Sequence, residues 1–200
     1  MTRRSSRLDR RRYWTTIDRV RPRFRTRSGR RVRMRLLAPD DAARLRDFFY
    51  RLSPESRRRR FHTDVEHIND ETILEASVRL TDVDNKTLGG AVIALAPEED
   101  GEAIVGVARL ARPPGEPESP EAEAAITVRD DFQGEGLGLE LLRRMMLLAR
   151  RMNIKTVVAE IEADNHAAIR LFRRLNVPTE TEVDYGLVVM RLAVPGAKRD

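Results

Sequence analysis

The chain has no cysteine. That excludes disulfide staples, Cys-ligated zinc and iron–sulfur sites, and an acyl-enzyme thioester on a cysteine nucleophile. No apolar run approaches the ~20 residues needed to cross a bilayer. None follows the basic N-terminus as a secretory signal requires. A soluble, cytoplasmic protein is expected, with no membrane contact and no metal. Lysine is nearly missing as well, three against thirty-five arginines. Such a ratio reflects genomic base composition as readily as guanidinium chemistry.

What is present suits one domain: 200 residues at 40% apolar content can bury an ordinary core. The net charge of +6 conceals an asymmetry, because residues 1–35 hold fifteen arginines against Asp9 and Asp18 and the remainder sums to −7. Residues 1–28 show little apolar periodicity and read as a disordered, Arg-rich tail. Such a run is a solubilising segment, a site of polyanion contact through residues 1–35 by counterion release, or an organellar transit peptide. The domain is expected over 29–195, with a short tail at 196–200.

Arg31 to Leu37 alternates as a strand with Val32, Met34 and Leu36 on one face. Pro39-Asp40-Asp41 opens a helix whose apolar positions include Leu45, Phe48, Phe49 and Leu52. A short helix follows Ser53-Pro54-Glu55 and ends in Arg57–Arg60 and Phe61. A third is predicted over 69–77, with Ile73 and Leu74 facing inward. Two β-rich stretches, 87–95 and 103–111, are joined by turn residues as a hairpin, and the proline-rich segment 113–120 reads as a loop. Then come a strand at 121–128, a helix at 137–152, a strand at 156–161, a helix at 166–175 and a closing strand near 187–192. This order predicts an α/β (mixed α+β) domain, a central sheet flanked by helices on both faces.

The stretch Gln133-Gly134-Glu135-Gly136-Leu137-Gly138 lies between the strand at 121–128 and a long helix. In that helix Leu141, Met145, Leu148 and Met152 form one apolar stripe with Ala149 beside it, while Arg143, Arg144, Arg150 and Arg151 lie elsewhere. A glycine-rich turn at a helix start directs several backbone N–H groups at one point, where the helix dipole adds positive charge. Such a turn suits a diphosphate, although glycine also serves simple tight connections. A Rossmann reading fails because the turn lacks G-x-G-x-x-G and follows a late strand.

Gln133-x-x-Gly136-x-Gly138, with the strand before it and the apolar helix after it, resembles the pyrophosphate loop of GNAT N-acetyltransferases. The segment Ala163-Asp164-Asn165-His166 through Leu175 is similar to that family's next strand-to-helix unit. Leu52-Ser53-Pro54-Glu55 through Phe61, Ile104 through Arg109, and Ala122-Glu123 resemble the bacterial Pat-type protein lysine acetyltransferases. The likeness spans roughly residues 30–195. It leaves no room here for the cyclic-nucleotide-binding domain of some relatives. It implies the GNAT fold, with a mixed, mostly antiparallel sheet, and acetyl-CoA as acyl donor. It also implies an amine acceptor, most simply a protein lysine. Cofactor contacts are implied at Ile126, Thr127 and Val128 through their backbone, at Gln133, Gly134, Glu135, Gly136, Leu137 and Gly138, at Asn165 on the pantetheine arm, and at Phe172, although Leu171, Phe172 and Leu175 are chiefly core positions.

A lysine amine is mostly protonated at neutral pH and must lose a proton before attack; a carboxylate is the usual base. Strand parity sets Ala122, Ala124, Ile126 and Val128 on one face and Glu123, Ala125 and Thr127 on the other. The second face joins one carboxylate to small side chains, and Glu123 matches the base position proposed for Pat-type enzymes. An ordinary surface glutamate is the plainer alternative. Where many relatives carry a tyrosine acid, this chain has Phe172, leaving solvent or Tyr185 to protonate the thiolate. His62 lies on the expected substrate side, His166 should face solvent beside the loop, and His67 follows no pattern. Asn176 is expected in the left-handed position that ends its helix, with Pro178 as the stop. A small-molecule amine acceptor, or a non-catalytic acyl-CoA module acting on a polyanion, are the alternatives to lysine acetylation.

Overall fold

The computed structural model describes residues 23–61 and 68–196. In chain order the strands are β1 (Arg23–Arg25), β2 (Arg31–Leu36), β3 (Gly89–Glu98), β4 (Gly101–Ala111), β5 (Glu121–Val128), β6 (Thr156–Glu162), β7 (Thr179–Asp184) and β8 (Leu187–Ala193). The helices are α1 (Ala42–Tyr50), α2 (Pro54–Phe61), α3 (Asp70–Thr81), α4 (Leu137–Arg151) and α5 (His166–Arg173). One sheet runs β1-β2-β3-β4-β5-β6-β8-β7. Its pairs are antiparallel except β5–β6.

The alternation of the central strands fills both faces. Val92, Ala94 and Ala96 of β3 pack with α4, joined by Ala122 and Ala124 of β5 and by Ile169 and Phe172 of α5. Ala91, Ile93 and Leu95 meet Leu45, Phe48 and Leu52 on the opposite face, which carries α1. The expected stripe of α4 is the centre of the first core: Leu141, Met145 and Leu148 are 0% exposed. Truncating any of them to alanine should cost about 2–5 kcal/mol. The helix approaches the sheet closely, because a Cβ on Gly106 would meet Leu141 Cδ1 at 2.7 Å.

The acidic start of the first helix is anchored rather than merely dipole-compensated. Asp41, fully buried, takes a bidentate pair from Arg35 at 2.5 and 2.6 Å and the Ala38 amide at 3.0 Å. Burial opposes its charged form, but Arg35 and the amide outweigh that and hold its carboxyl below the ordinary range. Asn69 accepts from the Thr72 amide at 2.8 Å and caps α3. Asn176 adopts φ 54°, as its helix-ending role requires.

The structure differs from the sequence reading in several places. Strand β1 lies within the stretch read as tail and pairs with β2, so ordered structure precedes residue 29. Strand β7 falls where none was expected, pairing with β8; α3 extends to Thr81. Leu74 faces outward while Ile73 is buried. Arg144, expected away from the apolar stripe, is 1% exposed and pairs with Glu140 one turn earlier at 2.9 Å. Residues 1–22, His62, His67 and 197–200 lie outside the described residues. No helix among the described residues is long and apolar enough to cross a membrane.

Candidate functional site

The glycine-rich turn is shaped by two left-handed residues, Gly134 at φ 71° and Gly136 at φ 83°. Non-glycine residues rarely adopt that region. Gly136 is the N-cap of α4, with no side chain closing that helix end. The first amides of α4 therefore point into open space with the positive end of a fifteen-residue helix behind them. Gly138 has a packing role too, since a Cβ there would press on Leu171 at 3.0 Å.

Charged side chains fix the turn from both sides. Asp130 accepts from the Ser53 amide at 2.9 Å and from the Ser53 and Ser56 hydroxyls at 2.8 Å, binding the turn to the start of α2. Burial works against its charged form, yet these donors keep its carboxyl below the usual range. Gln133 donates from Nε2 to the Val128 carbonyl at 3.1 Å. Arg129 grips Asp131 at 2.6 Å and Glu98 at 2.6 Å, which depresses the Asp131 carboxyl mainly through that hydrogen bond. On the other side the turn joining β1 to β2 docks. Arg27 donates from its amide to the Glu135 carbonyl at 3.2 Å and from its guanidinium to the Gly134 carbonyl at 3.0 Å. Glu135 itself accepts from the Ser28 amide at 2.8 Å and Arg30 at 3.2 Å, and is held below the carboxylate range chiefly by the Ser28 amide.

Beside the turn the sheet opens. The β5–β6 ladder runs only from Glu121 to Glu123, although β5 continues to Val128 and β6 to Glu162. A groove of about 670 Å³ lies along this stretch, lined by Ile126–Val128, by Gln133, Gly134, Gly136 and Gly138 of the turn, and by Asn165. Arg27, Arg59, Arg170 and Arg174 also line it. A backbone edge, a helix N-terminus and these guanidiniums suit a long ligand that ends in phosphates.

A second cavity, of about 190 Å³, lies on the opposite face of the sheet under α1, α2 and α3. Phe48, Phe49, Ile73 and Leu80 wall it, and Val107, Arg109, Ala125 and Thr127 form its floor. Pairing sets Val107 opposite Thr127, Arg109 opposite Ala125, and Ala111 opposite Glu123. Thr127 and Arg60 line both cavities. Thr127 Oγ1 is buried without a hydrogen-bond partner. The two spaces thus adjoin across one strand, at an unsatisfied hydroxyl.

The candidates read from the sequence separate accordingly. Ile126, Thr127, Val128, Gln133, Gly134, Gly136, Gly138 and Asn165 line the groove together. Asn165 accepts from the Ala168 amide at 3.1 Å and so caps α5, which leaves its side-chain amide nitrogen for a ligand. Three of the expected residues have their side chains elsewhere. Leu137 is 0% exposed in the core, Phe172 is 3% exposed beside it, and Glu135 is turned to the β1–β2 connection. Leu171 lines the groove in place of Phe172. Glu123 shares the Ala125–Thr127 face, as parity required, but is exposed and borders neither cavity. Tyr185, the alternative acid, is fully exposed at a hairpin tip, and His166 is exposed at the start of α5. Sequence reasoning passed over Arg27, Arg60 and Arg109. Arg109 alone gave a signal, as a cation within the otherwise apolar run 103–111.

Comparison with known proteins fits this arrangement. Residues 31–177 match the family described as acetyltransferase (GNAT) domain. The chain is 33% identical over 168 residues to acetyltransferase PA5475 of Pseudomonas aeruginosa, covering 83% of this chain and 86% of that protein. It is 33% identical over 106 residues to the L-methionine sulfoximine/L-methionine sulfone acetyltransferase of the same organism, covering 53% of this chain and 62% of the relative. The fold is similar to the GNAT domain of S. lividans PAT, with a TM-score of 0.71 at 24% identity over 86% of this chain and 95% of the other.

Proposed function

Since the chain belongs to the GNAT acetyltransferase family and is an N-acetyltransferase using acetyl-CoA, we propose that it moves the acetyl group directly onto a small-molecule amine held beneath α1–α3. The observation that carries this is the meeting of the two cavities at Thr127. A donor laid along β5 brings its acyl end to that strand, and an acceptor in the apolar cavity approaches from the other side.

Acetyl-CoA supplies an activated carbonyl and a thiolate that leaves readily. The turn amides and the start of α4 hold its diphosphate, with Arg27 and Arg59 nearby. The free edge of Ile126–Val128 orients the pantetheine arm, and the unpartnered Thr127 hydroxyl donates at the acyl end. Glu123 takes the proton of the attacking amine. It lies four positions along the strand from Thr127, roughly 13 Å at the usual rise, so the proton travels through water. The new N–C bond forms as the C–S bond breaks, and solvent protonates the thiolate.

A surface lysine, suggested by the Pat-type likeness, would have to bring its ammonium past Arg60 and Arg109 into a cavity whose walls are apolar. Repulsion and desolvation both oppose that, and a lysine side chain carries no anion of its own to offset them. The relative named for L-methionine sulfoximine and L-methionine sulfone supports a small acceptor instead. Mass spectrometry of products after incubation with acetyl-CoA, a panel of small amines and a lysine-containing peptide tests the proposal. N-acetylated small amines support it; acetylated peptide alone would overturn it.

A further inference from the structure

The acceptor cavity is apolar, yet two guanidiniums border it. Arg60 and Arg109 are the charged side chains among its described lining residues, and no carboxylate joins them there. Burial lowers the pKa of both guanidiniums, with Arg60 lowering that of Arg109 further and Glu123 partly offsetting the effect at Arg60. Neither makes an ion pair among the described residues. Arg109 donates from one nitrogen to the Leu80 carbonyl at 2.6 Å. Arg60 stands over the Phe61 ring at 5.2 Å. The remaining donors of both guanidiniums exceed what these interactions use. Two half-buried cations that share this cavity with no carboxylate among its described lining residues favour a ligand that brings one. The adjoining Thr127 Oγ1, in a residue only 9% exposed, is likewise without a partner.

We infer that the acceptor is a small amine bearing a carboxylate and an apolar side chain, in short an apolar amino acid. This rests on the acetyltransferase reading above and deepens it. Arg60 and Arg109 bind the carboxylate, a planar anion that matches the guanidinium fork. The walls formed by Phe48, Phe49 and Ile73 take the side chain. A dry apolar void on the order of 150 Å³ accommodates a molecule the size of benzene, so about 190 Å³ leaves space for a leucine-sized group. With its carboxylate on the arginines, the α-amine one carbon away faces Thr127 and the acyl end of the groove. A lysine side chain within a protein carries no such carboxylate.

The test measures kcat/KM of the full chain with L-leucine, leucinamide, 3-methylbutylamine and a lysine-containing peptide, using acetyl-CoA as donor. Leucine should exceed leucinamide and 3-methylbutylamine by about tenfold to a hundredfold, the range for losing hydrogen bonds to a charged group. The amide's amine is less basic and more often unprotonated, which biases against this outcome. Arg109→Gln should bring the leucine-to-leucinamide ratio close to one. Acetyl-CoA affinity should stay within about twofold, because Arg109 lines only the acceptor cavity; that measurement also reports that the variant is folded. Equal turnover of acid and amide by the unaltered protein would overturn the inference while leaving the small-amine reading intact. So would a folded Arg109→Gln that keeps the preference. Turnover of the peptide alone, or of no amine at all, would overturn both.

Discussion

The Arg27 guanidinium donates to the Gly134 carbonyl at 3.0 Å across 107 residues of sequence. This hydrogen bond fastens the connection between the first two strands to the turn at the head of α4, and Arg27 also lines the groove. A basic side chain in that position supplements the helix dipole and completes a cationic rim where phosphates would lie. Arg27→Ala should therefore weaken acetyl-CoA binding by about 1.4- to fivefold, matching the ~0.2–1 kcal/mol of an exposed charge pair. Calorimetry at low and high salt checks this, and the difference should shrink at high salt.

Gly136 has a stricter requirement. At φ 83° it meets no obstacle closer than the Phe24 ring, 3.7 Å from where a Cβ would stand. Any other residue there carries about 1–2 kcal/mol of backbone strain. Gly136→Asp adds a negative charge at a helix N-terminus meant for an anion. Acetyl-CoA affinity should fall by at least about tenfold while the circular dichroism spectrum persists. Unchanged affinity in a folded variant would remove the turn from the binding site.

The glycine turn and the long helix were legible because spacing alone defines them: glycines before an apolar stripe at helical period. Strand parity likewise gave the two faces of Glu121–Val128 correctly. The edge strands were not legible. Thr179–Asp184 is exposed at every residue, so it has no apolar face to betray it. Arg23–Arg25 is hidden in an arginine run. Arg144 was misplaced because its charge suggests solvent, and only tertiary packing reveals its burial. The acceptor cavity depends on α1, α2 and α3 closing over one patch of β4 and β5, and no local pattern encodes that closure. Phe172 and Leu171 are neighbours on α5, and helix rotation, not residue type, decided which one reached the groove.

Asp41 gives a stability prediction with a pH signature. Its pKa is lowered in the folded state, so its contribution is present above the unfolded value, about 3.9, and is lost as pH falls through the folded value. Asp41→Asn should cost about 3 kcal/mol, the lower end for breaking a buried pair because Arg35 is partly exposed. Urea melts across pH should show the gap between the two proteins narrowing below about pH 4. A constant gap would contradict this assignment.

Residues 1–22 include eight arginines against two aspartates. If they engage a polyanion, their deletion should abolish most salt-sensitive retention on duplex DNA without altering acetyl-CoA affinity. For every phosphate that the shortened chain no longer neutralises, the slope of log K against log salt should become shallower by about 0.9. Absence of salt-dependent retention in the full chain would leave the segment a solubilising one.

Glu123→Gln tests the catalytic proposal most directly, with kcat measured against pH on a saturating amine. The substitution keeps size and most hydrogen bonding while removing basicity. Loss of a general base costs about 10²–10⁴ in rate, so kcat should fall at least about a hundredfold near neutral pH. The deficit should shrink as pH rises and more amine arrives unprotonated, and acetyl-CoA affinity should barely change, since Glu123 borders neither cavity. A variant within about threefold of the unaltered protein near neutral pH, far short of a general-base loss, would contradict the account.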